Sequence, residues 1–222
     1  MNPETAYEHV RKSRIVAIFR GDFASDTVIE IARALMQQNF TAFELTMNSY
    51  QPLETMQALK AALGDEAAVG MGTILDTEAA QQALDSGADF VVSPAFQPAV
   101  VERVQSADVM FIPGVITATE AVSAWEMGVS VLKLFPIGPL GLDYFKAISG
   151  PLDHMKFMCN GAINEANAHE FLNAGALACG IGSWLTGKGN MSLELIERRA
   201  AVLRLIIDDL HGDTKPTRLK FT

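Results

Sequence analysis

Gly128-Val129-Ser130-Val131-Leu132-Lys133-Leu134-Phe135-Pro136 decides how this chain is read. Gly128 follows the amphipathic stretch Ala118–Met127, at the place where a left-handed residue closes a helix and glycine is favoured. Ser130 to Pro136 is then a short apolar run bounded by turn signals, the mark of a buried strand. The same step from helix to strand recurs at Gly87-Ala88-Asp89 and at Gly175-Ala176-Leu177. A helix that ends on glycine and passes through a short step into an apolar strand is one half of a repeated βα unit.

Outward from this stretch, apolar runs alternate with amphipathic ones at a spacing of roughly 20–30 residues, as βα repeats require. The strand candidates are Ile15–Arg20, Ala42–Met47, Ala68–Ile74, Phe90–Ala95, Val109–Val115, Ser130–Pro136, Lys156–Gly161 and Leu177–Gly182. Ser25–Gln38 places Val28, Ile29, Ala32 and Leu35 on one helical face; Asp76–Ser86, Ala118–Met127, Glu165–Asn173 and Glu194–Leu210 read similarly. Eight strands with intervening helices predict the α/β class and a single (β/α)8 TIM barrel over residues 1–222, in preference to an open doubly wound sheet. A lead helix over residues 3–12 is expected to cover the bottom of the barrel. Residues 211–222, short of apolar side chains, read as a tail.

Composition narrows the function classes. The 222 residues are 49% hydrophobic and 19% charged, enough to bury a sizeable core, and no apolar stretch approaches a membrane span. Met1 to Glu8 lacks a basic region followed by an apolar one, and Cys159 and Cys179 form neither a disulfide framework nor a CxxC pair, so a cytoplasmic protein is expected. A net charge of −9 argues against nucleic acid and anionic membranes as partners. A small anionic substrate would need cations placed locally.

Lys133 is the first such cation. A lysine inside a buried strand either snorkels out or sits in a low dielectric, which disfavours the ammonium form. The resulting nucleophilic amine is what Schiff-base chemistry on a carbonyl requires. The alternative is a structural lysine paired with a buried carboxylate.

Barrel sites are built at the C-terminal ends of the strands. In this chain those ends supply Arg20-Gly21, Gly70-Met71-Gly72-Thr73, Ser93-Pro94, Pro113-Gly114, Asn160-Gly161-Ala162 and Gly180-Ile181-Gly182-Ser183. Period-two alternation puts Glu44, Thr46 and Asn48 on one face of the second strand, and Lys133 and Phe135 on one face of the sixth. Polar groups on an inward face are expected at a site, not in a core. Glu44 and Lys133 then form either a buried ion pair or a Schiff-base lysine with a carboxylate moving protons. Gly161-Ala162 and Gly182-Ser183 occupy the loops where barrels commonly hold phosphate, although glycine there also serves plain turn chemistry. No cofactor or metal is implied: His9, His154, His169 and His211 form no HxH or HExxH pair, and neither a P-loop nor a complete GxGxxG is present.

Ile18-Phe19-Arg20-Gly21, Glu44-Leu45-Thr46-Met47-Asn48-Ser49, Gly70-Met71-Gly72-Thr73-Ile74-Leu75, Ser93-Pro94, Phe111-Ile112-Pro113-Gly114, Lys133-Leu134-Phe135-Pro136 and Gly182-Ser183-Trp184-Leu185 together resemble a known family. It is that of the class I 2-keto-3-deoxy-6-phosphogluconate aldolases, which also holds the 4-hydroxy-2-oxoglutarate and 2-keto-3-deoxy-6-phosphogalactonate aldolases. The resemblance runs from Ile15 to Leu185 and implies a (β/α)8 barrel assembled as a homotrimer. It implies a Schiff base between Lys133 and the C2 carbonyl of pyruvate, with Glu44 as general acid and base. Thr73 would take the pyruvate carboxylate and Phe135 would wall the pocket. Gly161, Gly182 and Ser183 would hold the phosphate, with Pro94 also among the substrate-binding residues.

Three positions depart from the family pattern. Asn48 stands where phosphogluconate-type members usually carry arginine, and Arg20 would supply the missing anion contact. Asn160 replaces the usual threonine or valine, which bears on aldehyde specificity. Ala162 replaces a glycine; it keeps the N–H donor but disfavours positive φ. The expected activity is cleavage of a phosphorylated 2-keto-3-deoxy sugar acid, with 4-hydroxy-2-oxoglutarate as the alternative substrate. From other classes, a barrel phosphosugar isomerase or epimerase would not need a carbonyl-trapping lysine. A non-enzymatic binding protein would leave Glu44 and Lys133 without a task.

Overall fold

The computed structural model of the chain describes residues 1–212. Nine parallel strands make one sheet: β1 (Ile15–Phe19), β2 (Ala42–Thr46), β3 (Ala68–Gly72), β4 (Phe90–Val92), β5 (Met110–Ile112), β6 (Gly114–Val115), β7 (Leu132–Leu134), β8 (Phe157–Asn160) and β9 (Ala178–Ile181). Their order is β5-β4-β3-β2-β1-β9-β8-β7-β6, so β5 and β6 lie at opposite ends of the hydrogen-bonded series while adjoining in sequence.

Pro113 explains that arrangement and corrects the continuous strand expected over Val109–Val115. Proline has no N–H to give a ladder. The carbonyl of Ile112 accepts from Ser93 N–H at 3.2 Å on the β4 side, whereas the carbonyl of Pro113 accepts from Lys133 N–H at 2.8 Å on the β7 side. One stave therefore changes partner at the proline, and eight staves close into a barrel. A Cβ on Gly114 would overlap the carbonyl of Pro94, so glycine is what lets the backbones meet there.

Alternation along the strands separates two apolar layers. Phe43 and Leu45, Val69 and Met71, Leu132 and Leu134, and Cys179 and Ile181 point outward into the large core beneath the helices. Val16, Ala42, Ala68, Phe90, Val92, Val131, Met158 and Ala178 fill the barrel interior, where Ala6 and Val10 of α1 (Pro3–Ser13) plug the bottom. The lead helix is thus where the sequence puts it. Glu44 continues the inward row of Ala42, and Lys133 that of Val131.

The outer layer contains α2 (Ser25–Met36), α3 (Pro52–Leu63), α4 (Thr77–Asp85), α5 (Pro98–Gln105), α6 (Ala118–Glu126), α7 (Gly141–Ser149), α8 (Ala168–Asn173), α9 (Ser183–Thr186) and α10 (Leu193–Gly212). Gly87, Gly128 and Gly175 have φ of 85°, 81° and 105°, the left-handed closures expected of them. After each, the next N–H reaches back to the helix: Ala88 to Ala83, Val129 to Ala124 and Ala176 to Phe171.

Several expectations need correction. The sequence reading assigned no helix to 52–63, 98–105 or 141–149. The helix expected from Glu165 begins at Ala168, because Asn164 and Asn167 fold the preceding residues into side-chain-bonded turns: Asn167 Oδ1 accepts from Asn164 N–H, and Asn164 Oδ1 from Ala166 N–H. The final helix runs through Gly212, into the expected tail; the rest of that tail, 213–222, lies outside the described residues. Among the described residues no helix is long and apolar enough to cross a membrane.

Candidate active site

A cavity of about 490 Å³ opens at the C-terminal ends of β1, β7, β8 and β9. It is lined by eight of the residues singled out from the sequence: Arg20, Lys133, Phe135, Asn160, Gly161, Ala162, Gly182 and Ser183. Lys133 is 3% exposed, and its Nζ stands 5.1 Å from the centroid of the Phe135 ring, within cation–π range. Among the described residues no carboxylate lies within ion-pair distance of it, so the structural ion-pair alternative does not hold.

Glu44 and Asn160 are the unusual inward groups. Glu44 is fully buried, and among the described residues neither carboxylate oxygen has a hydrogen-bond partner. Asn160 is 2% exposed, and neither its Oδ1 nor its Nδ2 has one. Each leans over a glycine of the neighbouring strand, Glu44 over Gly72 and Asn160 over Gly180, where a Cβ would overlap it. An unpaired buried polar group costs on the order of 1–3 kcal/mol, and more if charged, unless a ligand or water supplies the partner.

Neighbouring loops hold the rim. Thr46 Oγ1 and Ser49 Oγ are hydrogen-bonded to each other at 2.8 Å, and each lies 3.4 Å from Phe19 O, which accepts from whichever hydroxyl does not donate within the pair; Ser49 Oγ also accepts from Gly21 N–H. Arg20 is thereby fixed between two anchored residues. Thr186 Oγ1 donates to Ile18 O at 2.7 Å and ties α9 to β1. After β8, Gly161 and Ala162 have φ of 95° and 57°. Ala162 thus occupies the left-handed region that its Cβ was expected to disfavour, at a cost of about 1–2 kcal/mol. Supports on both sides hold it there: Asn167 Nδ2 donates to Ala162 O, and Gly138 N–H to Gly161 O.

The other four residues singled out do not line this cavity. Glu44 belongs to β2, across the barrel. Asn48, expected inward beside Glu44, is exposed in a turn beyond the strand, because β2 ends at Thr46. Thr73 follows β3 with φ of 62°, strained for a β-branched residue. Pro94 follows β4 and meets Gly114. Sequence reading missed Asn164, Trp184 and Lys188 in the lining. The Gly187-Lys188-Gly189 pattern was the available signal for the last.

The lining carries three cations, Arg20, Lys133 and Lys188, and no carboxylate, in a chain of net charge −9. That concentration of one sign suits an anionic ligand. Among the described residues no group of three or more His, Cys, Asp or Glu side chains is placed to hold a metal ion.

Residues 7–200 match the family model described as KDPG and KHG aldolase. The chain is 36% identical over 183 residues to the 2-dehydro-3-deoxy-phosphogluconate aldolase of Treponema pallidum, covering 82% of this chain and 86% of that one. It is 33% identical over 192 residues to the 2-dehydro-3-deoxy-6-phosphogalactonate aldolase of Escherichia coli, covering 86% and 92%. Among solved structures, one described as native KDPGal superposes with a TM-score of 0.84 at 29% identity, over 89% of this chain and 96% of the other. Another, a porous cage designed by fusing symmetric oligomeric domains, gives a TM-score of 0.83 at 29% identity, over 89% and 73%.

Proposed function

The chain belongs to the KDPG and KHG aldolase family, and from that premise we propose that it is a Schiff-base lyase cleaving a 2-keto-3-deoxy-6-phospho sugar acid to pyruvate and glyceraldehyde 3-phosphate. The observation that carries this reading is Lys133: buried, inward, free of any acid partner among the described residues, and lining a cavity with two further cations.

The Lys133 amine adds to the C2 carbonyl and loses water to give an iminium, an electron sink for C3. Glu44 takes the proton of the C4 hydroxyl. The C3–C4 bond breaks; its electrons pass to the iminium as an enamine, and C4 leaves as the aldehyde. Protonation of the enamine at C3 and hydrolysis of the iminium return pyruvate and the free amine. Acid–base help from a placed carboxylate is worth about 10²–10⁴-fold, and the Glu44 oxygens, which have no hydrogen-bond partner among the described residues, support that role. Thr73 would take the pyruvate carboxylate, a role its left-handed backbone supports by marking a site built under strain. Arg20, Gly161, Ala162, Gly182 and Ser183 would face the phosphate end. The chemistry uses no metal.

A homotrimer belongs to the same reading. Tyr50 and Leu75, 56% and 52% exposed beyond β2 and β3, support burial between copies; sedimentation equilibrium measures the mass.

The deciding experiment is incubation with pyruvate and borohydride followed by peptide mass spectrometry. A reduced pyruvyl group on Lys133 is expected. A folded protein with no adduct there would overturn the mechanism.

A further inference from the structure

Lys188 belongs to no motif that carries the family resemblance, yet it lines the same cavity as Arg20 and Lys133. Its position is built rather than incidental. Gly187 and Gly189 on either side have φ of 74° and 99°, a conformation that side chains resist. Gly187 N–H donates to Ser183 O, fixing the start of the segment at the end of α9. Gly21, with φ of 149°, lies so close to Lys188 that an added Cβ would stand 2.9 Å from its carbonyl oxygen. A Cβ on Gly189 would overlap the carbonyl of Asp22. Gly21 and Gly189 therefore let the backbone of Lys188 lie against the turn that follows Arg20. The side chain is exposed, and among the described residues neither Lys188 nor Arg20 takes part in an ion pair.

Two basic side chains with no ion-pair partner among the described residues, on segments packed backbone to backbone at Gly21, line the same cavity as Lys133 and can meet an anion of more than one charge. We propose that Lys188 is a specificity-determining residue which, with Arg20, holds the distal phosphate of the substrate and selects it over an uncharged terminus. This rests on the aldolase reading for the identity of the substrate, though not for the presence of the anion site. A lysine suits the task because its ammonium is a point charge on a flexible stem that can follow a phosphate through the reaction.

Two measurements separate this anion site from the activity. In the first, inorganic phosphate binding is titrated by calorimetry on the full chain for wild type, Lys188→Gln and Lys188→Arg. Binding about tenfold weaker in the glutamine variant is expected, with most of it restored by arginine; a charge-assisted contact at a partly open rim has this size. In the second, kcat/KM is compared for a 2-keto-3-deoxy-6-phospho sugar acid and its unphosphorylated analogue. Lys188→Gln should lower the ratio of the two about tenfold, through KM and not kcat, and rising salt should erode the wild-type preference. Phosphate affinity equal in wild type and Lys188→Gln, or an equal loss on both substrates, would overturn the proposal. If wild type fails to trap pyruvate on Lys133, the aldolase reading falls while the phosphate titration still decides the role of Lys188.

Discussion

The Glu44 carboxylate lies against the bare Cα of Gly72, so close that a Cβ on Gly72 would overlap Oε1. The missing side chain on β3 is what gives the carboxylate on β2 its place inside the barrel. Gly72→Ala should therefore act as a mutation of Glu44 made from the next strand. We expect kcat to fall about 10²-fold or more, with a loss of about 1–3 kcal/mol in urea unfolding from overpacking. The double variant Gly72→Ala, Glu44→Gln should be little slower than Glu44→Gln alone. Full additivity of the two losses would show that Gly72 acts elsewhere.

Asn160 holds a buried amide with no partner among the described residues, a state that function can justify and stability cannot. Asn160→Val keeps much of the volume and removes the unpaired groups. It should raise unfolding free energy by about 1–2 kcal/mol and change the ratio of kcat/KM between C4-epimeric substrates. A variant that is less stable than wild type and equally selective would contradict this.

Cys159 and Cys179 are register partners on β8 and β9, both turned into the outer core. Burial pushes both thiols up, Cys179 to about 12 despite the opposing charge of Arg14, and Cys159 further. Neither forms thiolate at neutral pH. Ellman's reagent should label neither in the folded protein and both above the urea midpoint, so labelling tracks unfolding.

His9 sits half-buried on α1 with Nδ1 3.0 Å from Thr41 Oγ1. Desolvation lowers its pKa, with Lys12 adding to that effect; a backbone hydrogen bond with Asp65 and the charges of Asp89 and Asp65 oppose it. The unfolded chain therefore binds the proton first as pH falls through the ordinary histidine range near ~6.5. Stability from this group is present above that range and is lost below it. The urea midpoint of wild type should drop between pH 7.5 and 5 more than that of His9→Gln; parallel curves would remove His9 from the linkage.

The barrel was legible because its signals are local: apolar runs of strand length, and glycine where a helix closes. The overlooked helices were marked too, α3 and α5 by Pro52 and Pro98 at the first helical position, but Val100, Val101 and Val104 look like strand residues out of context. Pro113 inside an apolar run was a sign of interrupted pairing. Inward alternation found Glu44 and Lys133, yet could not tell that β2 ends before Asn48. The closeness of Lys188 to Gly21 depends on a contact between loops far apart in sequence, which no local pattern encodes.

Counted around the closed ring, with β5 and β6 as one stave, β2 and β7 are separated by three staves in either direction. Glu44 and Lys133 are therefore diametrically opposed, and no ladder of hydrogen bonds sets the span between them. In an unrolled sheet they would stand four strand spacings apart, about 19 Å, beyond the reach of one small substrate. The bore of the barrel is their only ruler. Should the pair act as proposed, turnover would be a direct readout of whether the change of partner at Pro113 has closed the circle.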